Sequence, residues 1–206
     1  STLSSSSAAS DVYKRQVFGG LHVESQQCVA VKRVNVTDDA FAEIRMQEGL
    51  CHPHVCQLVC SFFSGVYVYA AMELCSGGDL CDCITARGDD GFSLAELQEY
   101  TAELLCAVAY LHDRGITHRD VKPEHILLDP GLGEVEWSLK LCDFGIAAAC
   151  PRGGSLRGYG TVMYMSPEQL VGYCNEACDV WACGCVFYEM LTRGHCLMPK
   201  GVQRWL

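Results

Sequence analysis

The most regular hydrophobic pattern in the chain predicts a helix between residues 93 and 115. Ser93 and Glu96 have the Ser-x-x-Glu spacing of a capping box, in which each side chain bonds a free backbone amide of the first turn. A mainly apolar series then recurs every three or four residues, at Leu94, Leu97, Thr101, Leu104, Val108 and Leu111. This spacing predicts one apolar stripe that packs on a core, in a helix that ends near Gly115.

Shorter segments predict strands and a second helix. Residues 27–34 alternate towards the β-branched pattern of a strand, which places Ala30 and Lys32 on one face. Residues 58–63, 66–72 and 138–142 are further runs of strand length. Residues 179–191 are apolar nearly all round, which predicts a helix that must be buried on every face.

The first sixteen residues do not continue these patterns. Residues 1–10 form a Ser/Ala-rich tract with almost nothing to bury, and residues 11–16 match the translation of an adapter used in transposase-based sequencing libraries. We therefore exclude residues 1–16 from the predicted fold, as an adapter-derived segment or a disordered polar tail.

Composition and charge predict a soluble intracellular protein, cytoplasmic or nuclear. The 206 residues carry a formal net charge of −10, which argues against a nucleic-acid partner or an anionic membrane surface. No apolar run approaches the roughly 20 residues of a membrane-spanning helix. The 15 cysteines lack the C-x2-C spacing of structural zinc sites, so we expect reduced, buried thiols, with Cys142 as a candidate reactive thiol.

Five motifs follow one another in a fixed order. They are Val29-Ala30-Val31-Lys32, Glu43, His118-Arg119-Asp120 with Lys122, Asp143-Phe144-Gly145, and Ser166-Pro167-Glu168. One such motif alone is a weak signal, but five in order are specific. From about Phe18 onward the chain resembles a eukaryotic protein kinase catalytic domain of the serine/threonine branch.

The resemblance implies an α+β, two-lobed fold that is truncated at both ends. Residues 17–75 would form a small antiparallel β lobe with one helix, which lacks its first strand and the start of its glycine-rich loop. Residues 76–206 would form a larger, mainly helical lobe that stops after its central buried helix.

ATP and Mg²⁺ are the cofactors that the resemblance implies. Lys32 would contact the α- and β-phosphates and would be held in place by Glu43. Gln47 stands where these kinases stack an apolar side chain on Phe144, so we expect a looser active alignment.

The nucleotide pocket is also assigned by resemblance. Gly19 would be the last glycine of the phosphate-covering turn, Leu21 would cap the adenine, and Ala30 and Leu127 would line its pocket. The remaining assignments are Met72 at the back of the pocket, the backbone of Glu73 and Cys75 against adenine, and Asp79 against the ribose.

The segment around Asp120 would carry the chemistry. Asp120 would accept or orient the proton of the attacking hydroxyl, and Lys122 would steady the γ-phosphate. Asp143 is the candidate Mg²⁺ ligand. His125 stands at the second metal position, where the family has asparagine, and imidazole nitrogen is a poor ligand for Mg²⁺. We therefore expect weakened catalysis.

Regulatory and structural roles complete the set. Arg119 beside Asp120 indicates control by loop phosphorylation, with Ser155 as the first candidate acceptor and Tyr159 as the second. Thr161 belongs to the segment that resembles the serine/threonine substrate platform. Glu168 and Asp179 would be structural, with Asp179 capping the backbone of the catalytic loop.

Three interpretations of function stay open. The chain is an ATP-dependent kinase of protein Ser/Thr hydroxyls, a pseudokinase or nucleotide-binding regulatory module, or a non-functional kinase fragment. Glu124 and Glu189 favour substrates with basic residues near the acceptor. The sequence is similar both to NIMA-related kinases and to calcium/calmodulin-dependent ones.

Overall fold

The first sheet of the structure is antiparallel and has four strands. The computed structural model describes residues 16–131, 135–150 and 156–197. Strands β1 (Gln16–His22), β2 (Gln27–Asn35), β3 (Leu58–Ser64) and β4 (Tyr67–Glu73) are ordered β1-β2-β4-β3. Gln16, which the sequence analysis excluded from the fold, pairs with Arg33 in β1, and residues 1–15 lie outside the described residues.

One helix packs on this sheet. Helix α1 (Asp38–Gln47) begins after Thr37, whose side chain accepts a hydrogen bond from the Ala40 amide. A small core joins the helix to the sheet through Ala40, Ile44, Val68 and Ala70. This contact fixes the side of the sheet from which α1 presents Glu43.

The rest of the described residues form four α-helices, three short 3₁₀ helices and six short strands. The α-helices are α2 (Leu80–Arg87), α3 (Leu94–Asp113), α4 (Pro167–Leu170) and α5 (Glu176–Leu191). The strands are β5 (Ile116–Thr117), β6 (Ile126–Pro130), β7 (Trp137–Leu141), β8 (Ala148–Ala149), β9 (Leu156–Arg157) and β10 (Tyr173–Cys174). They pair antiparallel as β5 with β8, β6 with β7, and β9 with β10. The predicted α+β class is confirmed.

Helix α3 organises the main core. Both halves of the predicted capping box at Ser93 and Glu96 are formed, and the predicted stripe is buried at Leu97, Leu104, Val108 and Leu111. The same core takes in side chains of α5 and of the β6–β7 pair. The loops that follow β5 and β7, which carry the catalytic motifs, are therefore anchored on a packed scaffold.

Helix α5 is buried on one face only. Cys183, Val186 and Met190 lie in the core, whereas Val180, Trp181 and Leu191 are exposed. The expectation of burial on every face is therefore not met within the described residues.

Two structural features are absent from the described residues. No helix in these ranges is both long and apolar enough to cross a bilayer. None of the cysteines in the described ranges forms a disulfide bond.

Candidate active site

Lys32 forms the link between the sheet, helix α1 and the Asp143 motif. Its Nζ donates a short hydrogen bond to Glu43 Oε1 and lies 3.1 Å from Asp143 Oδ1. The side chains of Lys32 and Glu43 are only 9% and 11% exposed, so the ammonium exchanges water for two carboxylates. Ion pairs of this kind fix geometry because either partner alone would be costly to bury.

Gln47 does not leave an unsatisfied polar group in this core. The residue is 3% exposed, and its Nε2 donates to the Cys56 carbonyl over 3.0 Å. Phe144 is buried and makes an edge contact with the His118 ring, with centroids 5.2 Å apart. Gln47 and Phe144 thus each have a defined partner, and the looser active alignment stays a prediction.

Thr161 holds one carboxylate oxygen of Asp120, and the other oxygen lies beside two basic side chains, Lys122 and His125. Its Oδ1 accepts hydrogen bonds from the Thr161 amide and hydroxyl, at 2.8 and 2.7 Å. Lys122 Nζ bonds the same hydroxyl oxygen at 2.9 Å and lies 3.3 Å from Asp120 Oδ2. Burial works to raise the pKa of Asp120, but the Thr161 hydrogen bonds and the Lys122 charge outweigh it, and the pKa falls below its usual value. Asp120 is thus an ionised acceptor with Oδ2 facing the cleft residues.

His125 lies between the carboxylates of Asp120 and Asp143. Its Nδ1 is 2.9 Å from the Asp120 carbonyl oxygen, and its Nε2 is 3.4 Å from Asp143 Oδ2. Burial lowers the pKa of His125 and is the largest influence on it, ahead of the opposing charge of Asp143. Asp120, His125, Asp143, Lys32 and Glu43 therefore form one continuous row of charged and polar groups.

The fit of this row to Mg²⁺ is uneven. The carboxylate of Asp143 is a ligand type that Mg²⁺ accepts, whereas the ring nitrogen of His125 is not a good replacement for an oxygen ligand. No group of three or more His, Cys, Asp or Glu side chains able to hold a metal occurs within the described ranges. Asp143 would hold a Mg²⁺ ion that arrives with its nucleotide, and His125 would contribute little to it.

Asp143 in this row and Arg119, next to Asp120, have strained backbones. Asp143 has φ 63° and Arg119 has φ 69°, which is the left-handed region that side chains other than glycine seldom adopt. Strain of this kind concentrates at functional sites, where surrounding contacts maintain it. Here Arg119 Nε donates to the Ile146 carbonyl over 2.6 Å, so the catalytic loop is tied to the segment after Asp143.

Asp179 caps the catalytic loop from helix α5. Its two oxygens accept hydrogen bonds from the backbone amides of His118 and Arg119, each 2.8 Å long. His112 Nε2 lies 2.8 Å from the same carboxylate. The sequence analysis missed His112, although its position in the last turn of the predicted helix places it beside the loop.

We expect Asp179→Ala to destabilise the fold by about 3 kcal/mol, because two buried amides lose their acceptor and each costs about 1–3 kcal/mol. Urea unfolding measures the change. Asp89→Ala is the control, since that carboxylate is fully exposed and 4.0 Å from Arg193. Equal unfolding free energies for the two variants would contradict the capping role.

The hinge side of the cleft is built from β4 and β6. Met72 lies opposite Ala30, and Leu127 bridges to Asp79. The Glu73 amide donates to the Gln57 carbonyl over 3.0 Å, so only the Glu73 carbonyl remains for a nucleotide. Cys75 lies two residues after Glu73, which ends β4.

Close packing against β6 and β7 explains the glycine at position 77. A Cβ on Gly77 would lie 2.7 Å from both Leu128 and Trp137, so a larger residue would push the hinge off β6. The carboxylate of Asp79 caps α2 by accepting from the Asp82 amide at 2.8 Å. Burial raises the pKa of Asp79. One oxygen of Asp79 is thus engaged away from any ribose.

Two predicted pocket residues are placed differently. Gly19 lies within β1, opposite Ala30, and is a strand residue rather than part of a turn. Leu21 pairs with Cys28 at the hairpin end and is 53% exposed. Val17 pairs with Lys32, and Leu21 lies four residues further along the strand, about 13 Å away. Val17, not Leu21, is the apolar residue of β1 nearest the row.

The activation segment is partly described. Ser155 lies outside the described residues, and Tyr159 is exposed. Gln169, which the sequence analysis missed, donates to the Arg119 carbonyl over 3.1 Å. The Ser166-x-x-Gln169 capping box that positions it was visible in the sequence. Glu168 Oε1 lies 3.8 Å from Cys178 Sγ.

Two further predictions concern single residues. Burial raises the pKa of the Cys142 thiol, which disfavours the thiolate that a reactive cysteine needs.

Glu189 is 7% exposed and accepts a 2.7 Å hydrogen bond from Tyr164, whereas Glu124 is exposed. Of the two carboxylates predicted for substrate recognition, only Glu124 is openly accessible.

Comparison with known proteins agrees with this geometry. The family model described as "Protein kinase domain" matches residues 14–204. A CBL-interacting protein kinase of Oryza sativa subsp. japonica is 36% identical over 168 residues, which is 79% of this chain and 40% of the relative. Maternal embryonic leucine zipper kinase of Danio rerio is 34% identical over 184 residues, 84% of this chain and 26% of the relative.

A third relative also matches most of this chain. Calcium-dependent protein kinase 5 of Plasmodium berghei (strain Anka) is 32% identical over 161 residues, 78% of this chain and 28% of the relative. The chain therefore spans less than half the length of each of these relatives. The matched family and the row from Glu43 to Asp120 place this chain in the protein kinase domain family.

Proposed function

We propose that this chain transfers the γ-phosphate of ATP to serine or threonine hydroxyls of proteins. The observation that supports this most directly is the double contact of Lys32 with Glu43 and Asp143. His125 extends the same row to Asp120. Phosphoryl transfer requires a cation for the phosphates, a carboxylate that binds the metal and a carboxylate that accepts the proton of the substrate hydroxyl. Lys32, Asp143 and Asp120 are the side chains of these types in the row.

Each charged side chain of the site would have its own role in the transfer. The Lys32 ammonium would meet the α- and β-phosphates, and Glu43 would keep it in place. Asp120 Oδ2, which Thr161 does not occupy, would orient the acceptor hydroxyl and take its proton. Lys122, held between Asp120 and Thr161, would face the negative γ-phosphate. Mg²⁺ bound with ATP would neutralise charge on the phosphate oxygens.

Specificity for Ser/Thr acceptors near basic residues is a second part of the proposal. Lys122 two residues after Asp120 is the serine/threonine arrangement in the resemblance, and the exposed Glu124 offers a carboxylate to a basic side chain. A peptide array phosphorylated by this chain tests it. Preference for acidic or proline-flanked acceptors would contradict the basic part.

A pseudokinase remains the second candidate because of His125. A side chain that suits Mg²⁺ poorly is what a nucleotide-binding protein without turnover would carry. Radiolabelled phosphate transfer from ATP to a basic serine peptide separates the two functions. Transfer supports the kinase, whereas ATP binding without transfer supports the pseudokinase.

We expect His125→Asn to raise Mg²⁺-dependent turnover by roughly tenfold or more, since ligand-shell changes at metal sites typically alter activity by 10- to 100-fold. The amide oxygen supplies the hard ligand that imidazole lacks. Peptide phosphorylation with Mg²⁺ measures it, and His22→Asn, at the end of β1 and away from the row, is the matched control. Unchanged or lower turnover in His125→Asn would show that His125 does not limit the reaction.

A further inference from the structure

We infer that His125 Nε2 and Asp143 Oδ2 together bind a borderline transition-metal ion of the Mn²⁺, Co²⁺, Ni²⁺ or Zn²⁺ class. This inference rests on the proposed function, because the ion would share its coordination with a nucleotide. It names a metal preference that differs from Mg²⁺.

The hydrogen bonds around the His125 ring fix its orientation. Nδ1 lies 2.9 Å from the Asp120 carbonyl oxygen, and a carbonyl can only accept, so Nδ1 carries the hydrogen. A backbone carbonyl on one ring nitrogen is the usual support for a histidine that ligates metal through the other. The lone pair of Nε2 then points to the side of the ring where Asp143 lies.

Asp143 presents the matching oxygen. Its Oδ1 is engaged by Lys32 Nζ at 3.1 Å and by the Gly145 amide at 3.2 Å. Its Oδ2 lies 3.4 Å from His125 Nε2. A hydrogen on Nε2 makes this contact an ion pair, whereas a ring without that hydrogen presents a lone pair to the same position. A bound metal ion would therefore take the place of this proton between the two atoms.

The separation suits a shared metal ion. Two ligand atoms each about 2.1 Å from one ion are roughly 3.4 Å apart at a tetrahedral angle and roughly 3.0 Å apart at an octahedral one. The observed 3.4 Å equals the tetrahedral separation and exceeds the octahedral one by about 0.4 Å, so a tetrahedral ion needs no rearrangement and an octahedral ion needs only a small approach of the two side chains. Both residues are also fixed, since His125 and Asp143 are 15% and 22% exposed.

Ligand chemistry selects the class of ion. Imidazole binds Mn²⁺, Co²⁺, Ni²⁺ and Zn²⁺ better than Mg²⁺, which prefers oxygen. Within the described residues no third His, Cys, Asp or Glu completes a metal cluster. Phosphate oxygens and water must then fill the other positions, so we expect tight binding only in the presence of a nucleotide.

Pulsed electron paramagnetic resonance of Mn²⁺ with ADP and the full 206-residue chain tests the inference. A coordinated imidazole gives a nitrogen coupling to the Mn²⁺ spin. We expect this coupling in the unmodified chain and in the control His22→Asn, and its loss in His125→Asn. Calorimetry should show the Mn²⁺:Mg²⁺ ratio of ADP affinities falling roughly 10- to 100-fold in His125→Asn.

The outcomes separate the inference from the function on which it rests. Loss of the coupling only in His125→Asn supports the inference. ADP binding without nitrogen coupling, or with coupling that persists in His125→Asn, overturns the metal site and leaves the kinase proposal intact. Failure of ADP to bind with either ion overturns both. If circular dichroism shows His125→Asn unfolded, His125→Gln serves as the second variant, with the same outcomes.

Discussion

Replacing Asp120 with asparagine should slow phosphate transfer to a serine peptide by about 10²- to 10⁴-fold, the range that general acid–base groups contribute. Asparagine keeps an oxygen at the position that accepts the Thr161 hydrogen bonds. Its other atom becomes an amide nitrogen, which cannot take the proton of an attacking hydroxyl. The variant should therefore fold normally and lose chemistry selectively.

The assay compares initial rates with Mn²⁺ and ATP for the unmodified chain and for Asp120→Asn. Asp89→Asn, at an exposed carboxylate, controls for the loss of one negative charge. ADP affinity measured in parallel should stay within about twofold of the unmodified value, well under 1.4 kcal/mol. Rates that match the control would remove Asp120 from its proposed role.

The Lys32→Met variant should be less stable by about 3 kcal/mol, the lower end of the cost of breaking a buried ion pair. Methionine keeps the apolar stem but leaves Glu43 and Asp143 without their shared cation. The two carboxylates are 11% and 22% exposed, so water screens their charges poorly. Chemical denaturation of both chains measures the loss.

A double-mutant cycle assigns the loss to the ion pair. Lys32→Met/Glu43→Gln should recover part of the stability, because the second change removes one unpaired charge. Arg193→Met is the control, since its guanidinium is 55% exposed and 4.0 Å from Asp89, and exposed pairs contribute about 0–1 kcal/mol. A cycle without coupling between positions 32 and 43 would show that the two side chains do not stabilise each other.

Local signals in the sequence were sufficient for the scaffold. The capping box at Ser93 and the leucine stripe predicted α3 to within two residues of its observed end at Asp113. These features depend on neighbours three or four positions apart, which any single sequence displays. The prediction of α1 rested on its place in the motif order. Which face of α5 is buried depends on packing against residues far away in the chain, which a single sequence does not display.

The arrangement of the site depended on contacts across the chain. The β1–β2 register decides whether Val17 or Leu21 lies beside Lys32, and only the turn between His22 and Gln27 sets that register. A polar Gln47 conflicts with the apolar surroundings that the sequence predicts for it, and only the fold places the Cys56 carbonyl beside its amide. The anomaly at His125 was visible in the sequence, but its contacts with Asp120 and Asp143 required the fold.

Calorimetric titration of ATP into the unmodified chain and into Lys32→Met tests the central claim most directly. The claim is that Lys32, Asp120 and Asp143 surround the triphosphate in one cleft. We predict saturable binding of one ATP per chain that weakens at least tenfold, about 1.4 kcal/mol, in the variant. Absence of ATP binding to the folded, unmodified chain, or equal affinity in the variant, would contradict it.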